Sequence, residues 1–286
     1  MAKLLRVGIT LLVIAIAVVA GSWLWNHYLY SPWTRDGRIR ADVITIAPDV
    51  SGWVTQMYIK NNQAVNQGDP LFTIDDTRYQ AALAEAKAKV AEKHSALELS
   101  RHKYQSHHPL SDSEVLSEED REIDRINMGS AKASYELAEA ELATALIDLT
   151  RTQVAAPEDG TINNLYLRQG NYVAGGKAVL SLIKDDSFYV TGYFEETKLQ
   201  MVRVGQSARM TLMGGDRKLT GTVVSIARGI ANSNTSSDDQ MLPQVQQAFN
   251  WVRLAQRIPV DIALDTVPED IHLSAGMTVS IHLDSE

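Results

Sequence analysis

Four patterns of hydrophobic and polar positions follow one another along the 286 residues. Residues 7–25 form an uncharged apolar run, and residues 76–150 repeat apolar side chains every three or four positions. Two short segments that resemble each other flank that stretch, and apolar and polar residues alternate over much of residues 185–286. These patterns predict a membrane-spanning helix, long amphipathic helices and short strands.

The helical stretch, residues 76–150, is rich in Ala, Glu, Lys and Leu, which are good helix formers. A polar segment around Pro109 divides it into two arms of about 30 residues, each about 45 Å long. Apolar spacing predicts a seam along each arm, formed by Leu83, Ala86, Val90, Lys93, Leu97, Ser100 and Tyr104, and by Ile123, Ile126, Ser130, Ala133, Leu137, Ala140, Thr144 and Ile147. The pattern predicts an antiparallel coiled-coil hairpin. A two-helix piece of a larger bundle is the alternative, but both arms are polar over most of their surface.

The segments on either side of the hairpin, Gly52–Ile74 and Gly160–Leu182, align without a gap at a constant offset of 108 residues. Four of their glycines suit tight turns between short strands: Gly52, Gly68, Gly160 and Gly176. A hairpin leaves and returns at one place. The two halves, residues 48–75 and 151–184, are therefore predicted to form one small β-sandwich.

The last part of the chain, residues 185–286, has a series of short predicted strands, which indicates a small β-barrel with a membrane-proximal region. Its predicted strands alternate or are rich in β-branched residues, and they are Phe188–Phe194, Ser207–Leu212, Gly221–Ile226, Ile258–Leu264 and Met277–Leu283. Residues 31–47 are predicted to supply a linker and one more strand to this barrel. Nine consecutive polar residues, 232–240, predict a loop.

The N-terminal apolar run would span about 28 Å as a helix, close to the ~30 Å hydrocarbon core of a bilayer. Lys3 and Arg6 precede it, so the positive-inside rule keeps the N-terminus in the cytoplasm and exports the rest of the chain. Aromatic residues at its outer end fit an interfacial belt: Trp23, Trp25, Tyr28 and Tyr30. Residues 1–30 are thus predicted to form a cytoplasmic tip and a single transmembrane anchor. A signal peptide cleaved after Ala20 is the alternative.

Composition narrows the functional classes. The chain has 27 basic and 35 acidic residues and a net charge of −8, which argues against nucleic acid as a partner. It has no cysteine, which excludes disulfides, thiol catalysis and cysteine-based zinc sites. No nucleotide-binding, nucleophile-elbow or zinc-protease motif is present.

In this order of elements the whole chain resembles the HlyD-like membrane fusion proteins, which are periplasmic adaptors of efflux and secretion systems. Its half-motifs look like split biotinyl/lipoyl domains. Six segments are most similar to the subgroup of p-hydroxybenzoic acid efflux adaptors: Ser31–Asp36, Ile46–Gly52, Phe72–Asp75, Ser187–Val190, Glu195–Leu199 and Trp251–Val260. The resemblance implies a mainly β fold with a long hairpin, a location in the inner membrane and periplasm, and export of small aromatic acids or drugs.

The resemblance also implies partners: an inner-membrane transporter, an outer-membrane channel and further copies of the chain in a trimer or hexamer. In the family the hairpin tip often docks on the channel through an Arg-x3-Leu-x6-Ser pattern. Leu110 and Ser117 match its last two positions, but Ser106 occupies the arginine position and the tip is longer. Docking through Leu110 and Ser117 is therefore a hypothesis, with a helix cap as the alternative role of Ser117.

The lipoyl-like halves also suggest a carrier component of an enzyme complex. A carrier needs a lysine on the turn between its halves, whereas Ile74-Asp75-Asp76 and the hairpin occupy that place. No cofactor and no catalytic residue are therefore expected. An anchored structural coiled-coil protein is the other alternative class.

Charged and imidazole groups near the hairpin tip have simple interpretations. Four histidines, His94, His102, His107 and His108, could bind zinc or sense pH, but exposed polar positions explain them better. Seven acidic residues lie near the hairpin tip, where either solvent or a basic partner would face them: Asp112, Glu114, Glu118, Glu119, Asp120, Glu122 and Asp124. Two acidic pairs, Asp75/Asp76 and Asp185/Asp186, are expected to form caps and turns, and Thr77/Gln80 and Ser117/Asp120 fit capping boxes.

Overall fold

The computed structural model describes residues 8, 11–22, 32–107, 118–215, 217–230, 255–268 and 271–284. The chain divides into two compact units. One is Val43–Asp185, and the other combines Met1–Asp42 with Asp186–Glu286. The predicted fold class is confirmed, because the described residues form a split β-sandwich, a long helical hairpin and a closed six-stranded barrel.

The sandwich in Val43–Asp185 has two four-stranded sheets, ordered β2-β9-β7-β4 and β6-β5-β3-β8. Its strands are β2 (Val43–Ile46), β3 (Gly52–Met57), β4 (Ala64–Val65), β5 (Pro70–Ile74), β6 (Gln153–Ala155), β7 (Gly160–Asn163), β8 (Tyr172–Val173) and β9 (Leu180–Lys184). Strands β2–β5 precede the hairpin and β6–β9 follow it. Each sheet therefore takes two strands from each half, and neither half completes a sheet alone.

The 108-residue offset seen in the sequence is also an offset in the strand register. Gly52 pairs with Val173, and Gly160 pairs with Val65, which is the same contact with the two halves exchanged. The aligned apolar residues form the core between the sheets, including Val54 and Ile162, Ile59 and Leu167, and Ile74 and Leu182. The repeat thus encodes two interlocking halves that share a single hydrophobic core.

The hairpin consists of α1 (Thr77–His107, 31 residues) and α2 (Glu118–Thr150, 33 residues). Contacts between them pair residues whose numbers have a nearly constant sum, as antiparallel helices require. Lys89 Nζ lies 2.6 Å from Glu141 Oε2, His94 packs edge-on against Tyr135, and His107 Nδ1 lies 2.6 Å from Asp124 Oδ2. The predicted antiparallel hairpin is therefore present.

The seam of the hairpin matches the prediction on one helix only. On α1 the less exposed positions are those predicted, from Leu83 to Tyr104. On α2 the predicted seam is wrong, since all eight of its residues are exposed. The residues that face α1 are Arg121, Asp124, Met128, Ala131, Tyr135, Ala138, Leu142, Ala145 and Leu149. They have the same three-four spacing two positions away, so α2 carries two apolar stripes on opposite sides.

The second unit contains a closed barrel with the strand order β1-β10-β13-β12-β11-β14. Its strands are β1 (Trp33–Arg40), β10 (Tyr189–Glu195), β11 (Ser207–Leu212), β12 (Lys218–Ile226), β13 (Arg257–Leu264) and β14 (Thr278–Leu283). A 3₁₀ helix, Glu196–Met201, follows β10. Inward residues fill the barrel, among them Ile39, Phe194, Met210, Ile262 and Ile281. The barrel is thus a packed core.

The segment predicted as a linker and barrel strand, residues 31–47, contributes to both units. Trp33–Arg40 closes the barrel by pairing with β10 and β14, whereas Val43–Ile46 pairs with β9 in the sandwich. The predicted boundary at residue 47 therefore lies about five residues later than the division at Asp42 and Val43. The predicted loop 232–240 lies outside the described residues.

Only part of the predicted anchor is described. Residues 11–22 are helical and their side chains are exposed. Within the described parts of the chain, no helix combines the length and the apolar character needed to cross a membrane. The flanking residues that carry the topology prediction, Lys3, Arg6, Trp23, Trp25, Tyr28 and Tyr30, lie outside the described residues.

Replacing Gly160 by alanine should destabilise the sandwich. A Cβ there would lie 2.3 Å from the Ile183 carbonyl oxygen, a backbone atom that cannot move aside. Overpacking of this kind costs about 1–3 kcal/mol. Urea unfolding of the purified full-length protein in detergent, followed by circular dichroism, measures the loss.

The matched control is Gly129→Ala in α2. Apart from its chain neighbours and the backbone of its own helix, no atom lies within 4 Å of the added Cβ there, and alanine favours a helix over glycine by about 1 kcal/mol. The control should be neutral or stabilising. Equal stability of both variants and the parent would contradict the strand register at Gly160.

Candidate interaction surfaces

The hairpin leaves the sandwich at a turn held by two aspartates. The Thr77 N–H and hydroxyl both donate to Asp75 Oδ1, at 3.0 and 2.7 Å, and these bonds lower the pKa of the Asp75 carboxyl. Gln80 donates from its side chain to Asp76 Oδ2 at 2.7 Å. The cap is therefore built by Asp75 and Asp76, and Thr77, which the predicted capping box made the acceptor, is a donor instead. The place where a carrier lysine would stand is occupied by this helix start.

One residue at each junction bonds the hairpin to the sandwich and fixes how the helix is rotated there. On α1, the Tyr79 hydroxyl donates to the Ser51 carbonyl oxygen at 2.7 Å. After α2, Thr152 is 1% exposed, and its carbonyl oxygen accepts from the Ile74 N–H at 2.8 Å. Tyr79 and Thr152 continue the spacing of the seams found in the structure. The sandwich thus determines which stripe of α2 faces α1.

The other stripe of α2 faces solvent. We call it the outer stripe, and it consists of the residues first predicted as the seam, together with Leu146. Its large side chains are 47–60% exposed: Ile123, Ile126, Leu137, Leu146 and Ile147. Single exposed apolar residues need no explanation, but a row of them at heptad spacing is typical of a helix that packs on another helix. The outer stripe is therefore a candidate interaction surface.

The two helices differ in charge and in side-chain size. Helix α1 carries six basic and three acidic residues, whereas α2 carries three basic and nine acidic residues. Lys89 already bonds to Glu141 across the hairpin, and that bond raises the pKa of Lys89. The face of α1 that points away from α2 is rich in exposed alanines, including Ala81, Ala84, Ala88 and Ala91. Such a face can approach another helix closely.

The end of the hairpin near the tip is polar. His107 and Asp124 form a hydrogen bond between the helices, and Glu122 pairs with Arg125 along α2 at 2.6 Å, which lowers the pKa of Glu122. Glu119 and Asp120 are exposed. The remaining residues named for the tip, Leu110, Ser117, His108, Asp112 and Glu114, lie outside the described residues.

Histidines and acids of the described residues form no metal cluster, since no group of three or more His, Cys, Asp or Glu side chains could hold an ion. His94 packs on Tyr135, and His102 is exposed. Asp186 has a positive φ of 56°, as turn residues often do, and the Asp185 N–H donates to the Asp159 carbonyl oxygen. His94 and Asp186 therefore take part in packing and turn geometry, and His102 faces solvent.

The four glycines of the half-motifs have two different environments. Gly68 and Gly176 lie in turns with φ of 88° and 74°, which favour glycine. Gly52 and Gly160 were predicted as turn glycines but lie within β3 and β7. A Cβ at Gly52 would lie 2.6 Å from the Ile74 side chain, so close packing rather than a turn requires glycine there.

Two protein-family models match this chain. Residues 42–184 match the model of the RND MFP barrel-sandwich hybrid domain, and residues 187–284 match the AAEA-like beta-barrel domain. These bounds agree with the two units of the structure. The chain belongs to the membrane fusion protein family.

Similar proteins cover nearly the whole chain. The Escherichia coli (strain K12) protein named Uncharacterized protein YdhJ is 43% identical over 279 residues, which are 98% of each chain. The membrane fusion protein Spr0693 from Streptococcus pneumoniae R6 superposes with a TM-score of 0.65 at 18% identity and covers 88% of this chain and 98% of its own. A MacA-MexA chimera with the Pseudomonas aeruginosa MexA α-hairpin domain gives 0.62 at 21% identity, over 88% and 81%. Both structures support the fold of a membrane fusion protein.

The direction of the outer stripe can be tested with two alanines that are two positions apart. Ala138 is 1% exposed in the seam, and Ala140 is exposed on the outer stripe. Both Ala→Asp changes have the same helix propensity cost, but only the change at position 138 would bury an unpaired carboxylate. We expect Ala138→Asp to be less stable than Ala140→Asp by about 2 kcal/mol or more. Thermal unfolding followed at 222 nm measures the difference. If Ala140→Asp were the less stable variant, the seam predicted from the sequence would be supported instead.

Proposed function

We propose that this membrane fusion protein is the periplasmic adaptor of a tripartite efflux system. Its N-terminal segment anchors it in the inner membrane, and the bulk of the chain lies in the periplasm. The barrel and membrane-proximal part contact an inner-membrane transporter. The observation that carries the proposal is a hairpin of 31 and 33 residues inserted into a split sandwich. At 1.5 Å per residue it reaches about 45–50 Å beyond the sandwich.

The outer end of the hairpin, with Leu110 and Ser117, is the part that would meet an outer-membrane channel. The acidic residues at the start of α2 suit a basic partner surface, and such an association would weaken with salt. The cargo class that we propose, from the resemblance of the six segments named above, is small aromatic acids or drugs. We propose no catalytic role, because the Ile74–Asp76 turn lacks the lysine of a carrier domain.

Several copies are proposed to assemble into a trimer or hexamer through their hairpins. The outer stripe of α2 in one copy packs on the alanine-rich outer face of α1 in the next. The acidic character of α2 and the basic character of α1 favour this head-to-tail contact over contacts between like helices. A head-to-tail contact closes into a ring when its rotation allows.

Bridging can be tested with single cysteines, because the chain has none of its own. Leu110→Cys at the tip and Met213→Cys on the barrel, which is 80% exposed, are each labelled with a photo-crosslinker in cells. We expect the tip to capture an outer-membrane channel and the barrel to capture an inner-membrane transporter, both identified by mass spectrometry.

Lys177→Cys, at an exposed position of the sandwich, is the matched control. It should capture neither the outer-membrane channel nor the inner-membrane transporter. A tip that captures no outer-membrane protein, while the barrel still captures its transporter, would overturn bridging. A lipoyl or biotinyl mass on the intact protein would instead favour the carrier hypothesis.

Assembly should depend on the outer stripe. Leu137→Glu combined with Ile147→Glu adds two charges to an apolar and already acidic face. We expect native mass spectrometry of the full-length protein to show at least a tenfold loss of oligomer, about 1.4 kcal/mol or more. Met213→Glu, also exposed and apolar before substitution, is the control and should leave the oligomer intact. An unchanged oligomer in the double variant would exclude the outer stripe as the contact.

A further inference from the structure

The first residue of β1, Trp33, carries two cations on its indole ring. Arg35 Cζ lies 5.3 Å from the ring centroid and Lys198 Nζ lies 4.8 Å from it. Lys198, in the 3₁₀ helix, also lies 3.5 Å from the Trp33 carbonyl oxygen. Both distances from the ring are within the range of cation–π contacts. Trp33, Arg35 and Lys198 form what we call the tryptophan cluster.

The two cations of this cluster have no ion-pair partner among the residues that the structure describes. Within the described residues, neither Arg35 nor Lys198 forms an ion pair with a carboxylate. Other arginines of the same barrel are paired, as Arg209 is with Asp284 at 2.5 Å and Arg257 is with Asp36. The cluster therefore leaves two positive charges together on a chain whose net charge is −8.

A second ring extends the cluster across the barrel surface. Trp33 and His282 are cross-strand partners in β1 and β14, and their rings stack at 5.9 Å with an angle of 12° between planes. His282 is exposed, whereas Trp33 and Lys198 are half-buried. The cluster is thus a basic aromatic platform in which His282 and the two cations contact the Trp33 ring, and it is held on two strands and the 3₁₀ helix.

Chain length limits how far this platform lies from the membrane. Tyr30, the last aromatic residue of the proposed interfacial belt, precedes Trp33 by three residues. Three residues span at most about 10 Å. If the proposed anchor holds Tyr30 at the interface, Trp33 lies within about 10 Å of the lipid headgroups. Indole rings favour that region, and phosphate is the acidic group it offers.

We propose that the tryptophan cluster binds the phosphate of an anionic phospholipid headgroup. Arg35 and Lys198 donate hydrogen bonds to phosphate oxygens, and Trp33 lies at the level of the headgroup. This inference rests on the proposed anchor, which brings the cluster to the membrane. A basic aromatic platform at that depth suits a lipid better than an acidic peptide, because the indole gains from the interface as well as from the cations.

The test uses full-length protein in a neutral detergent and native mass spectrometry of retained lipid. Phosphatidylglycerol is the anionic probe and phosphatidylcholine the zwitterionic one. We expect preferential retention of phosphatidylglycerol, and about a tenfold loss of that preference in the Arg35→Gln/Lys198→Gln variant. Inorganic phosphate, compared at equal ionic strength, should not displace phosphatidylglycerol from the protein. Displacement of the lipid by inorganic phosphate would show that the cluster binds free phosphate and would overturn the lipid site.

The matched control is Arg228→Gln/Lys177→Gln, which removes the same charge at two exposed positions outside the cluster. It should retain phosphatidylglycerol like the parent. If both double variants lose the preference for phosphatidylglycerol equally, the lipid is held by general electrostatic attraction and the proposed site is wrong. If neither variant loses the preference, the proposed site is also wrong. Trp33→Leu, checked for folding by circular dichroism, should also reduce the preference.

Flotation of the same proteins with vesicles distinguishes failure of the anchor from failure of the lipid site. Parent and variants should all float if residues 1–30 anchor the chain, whatever happens at the cluster. A parent that does not float contradicts the anchor of the proposed function. A parent that floats and shows no preference for phosphatidylglycerol contradicts the lipid site alone. Crosslinking of a benzophenone at position 34 to protein instead of lipid would favour an acidic peptide and overturn the proposal.

Discussion

The exchange of strands between the two halves of the sandwich is the constraint on which the rest of Val43–Asp185 depends. Neither half forms a four-stranded sheet by itself, so the core closes only when the two ends of the hairpin meet. β5 leads into α1 and β6 follows α2, and these strands pair directly, with Phe72 opposite Val154. The helices must therefore start and finish side by side and run antiparallel. Without cysteine, packing, hydrogen bonds and ion pairs such as Arg151–Asp49 maintain this closure.

The same closure explains which parts of the fold could be predicted. The 108-residue repeat, the helical period and the alternating segments are local patterns, and they predicted the sandwich core, the two arms and most barrel strands. The facing side of α2 could not be predicted, because both of its stripes have heptad spacing. Thr152 and its bond to Ile74 determine the rotation of α2, and these are tertiary contacts. The division of residues 31–47 between two units is likewise set by pairing partners far along the chain.

The surfaces differ in how well the sequence indicated them. Apolar spacing indicated the residues of the outer stripe but predicted that they face α1. In the structure Ala138 is buried on the side that faces α1, and the outer stripe is exposed. The tryptophan cluster combines residues 33, 35 and 198 and left no local pattern to detect. Together these surfaces and the tip are the basis of the three contacts proposed for the adaptor: a membrane at the start of the barrel, neighbouring copies along the hairpin, and an outer partner at the tip.

The contact between copies is the central claim of this account, and disulfide trapping in membranes tests it most directly. Ala140 on the outer stripe and Ala91 on the outer face of α1 are at matching levels of the antiparallel hairpin, and both are exposed. Cysteines at both positions should yield a ladder of linked multimers that stops at the number of copies in a closed ring. Cysteines at Ala138 and Ala91 should yield none, because Ala138 faces its own α1. Monomers only from the first pair, or a ladder from the second, would contradict the account.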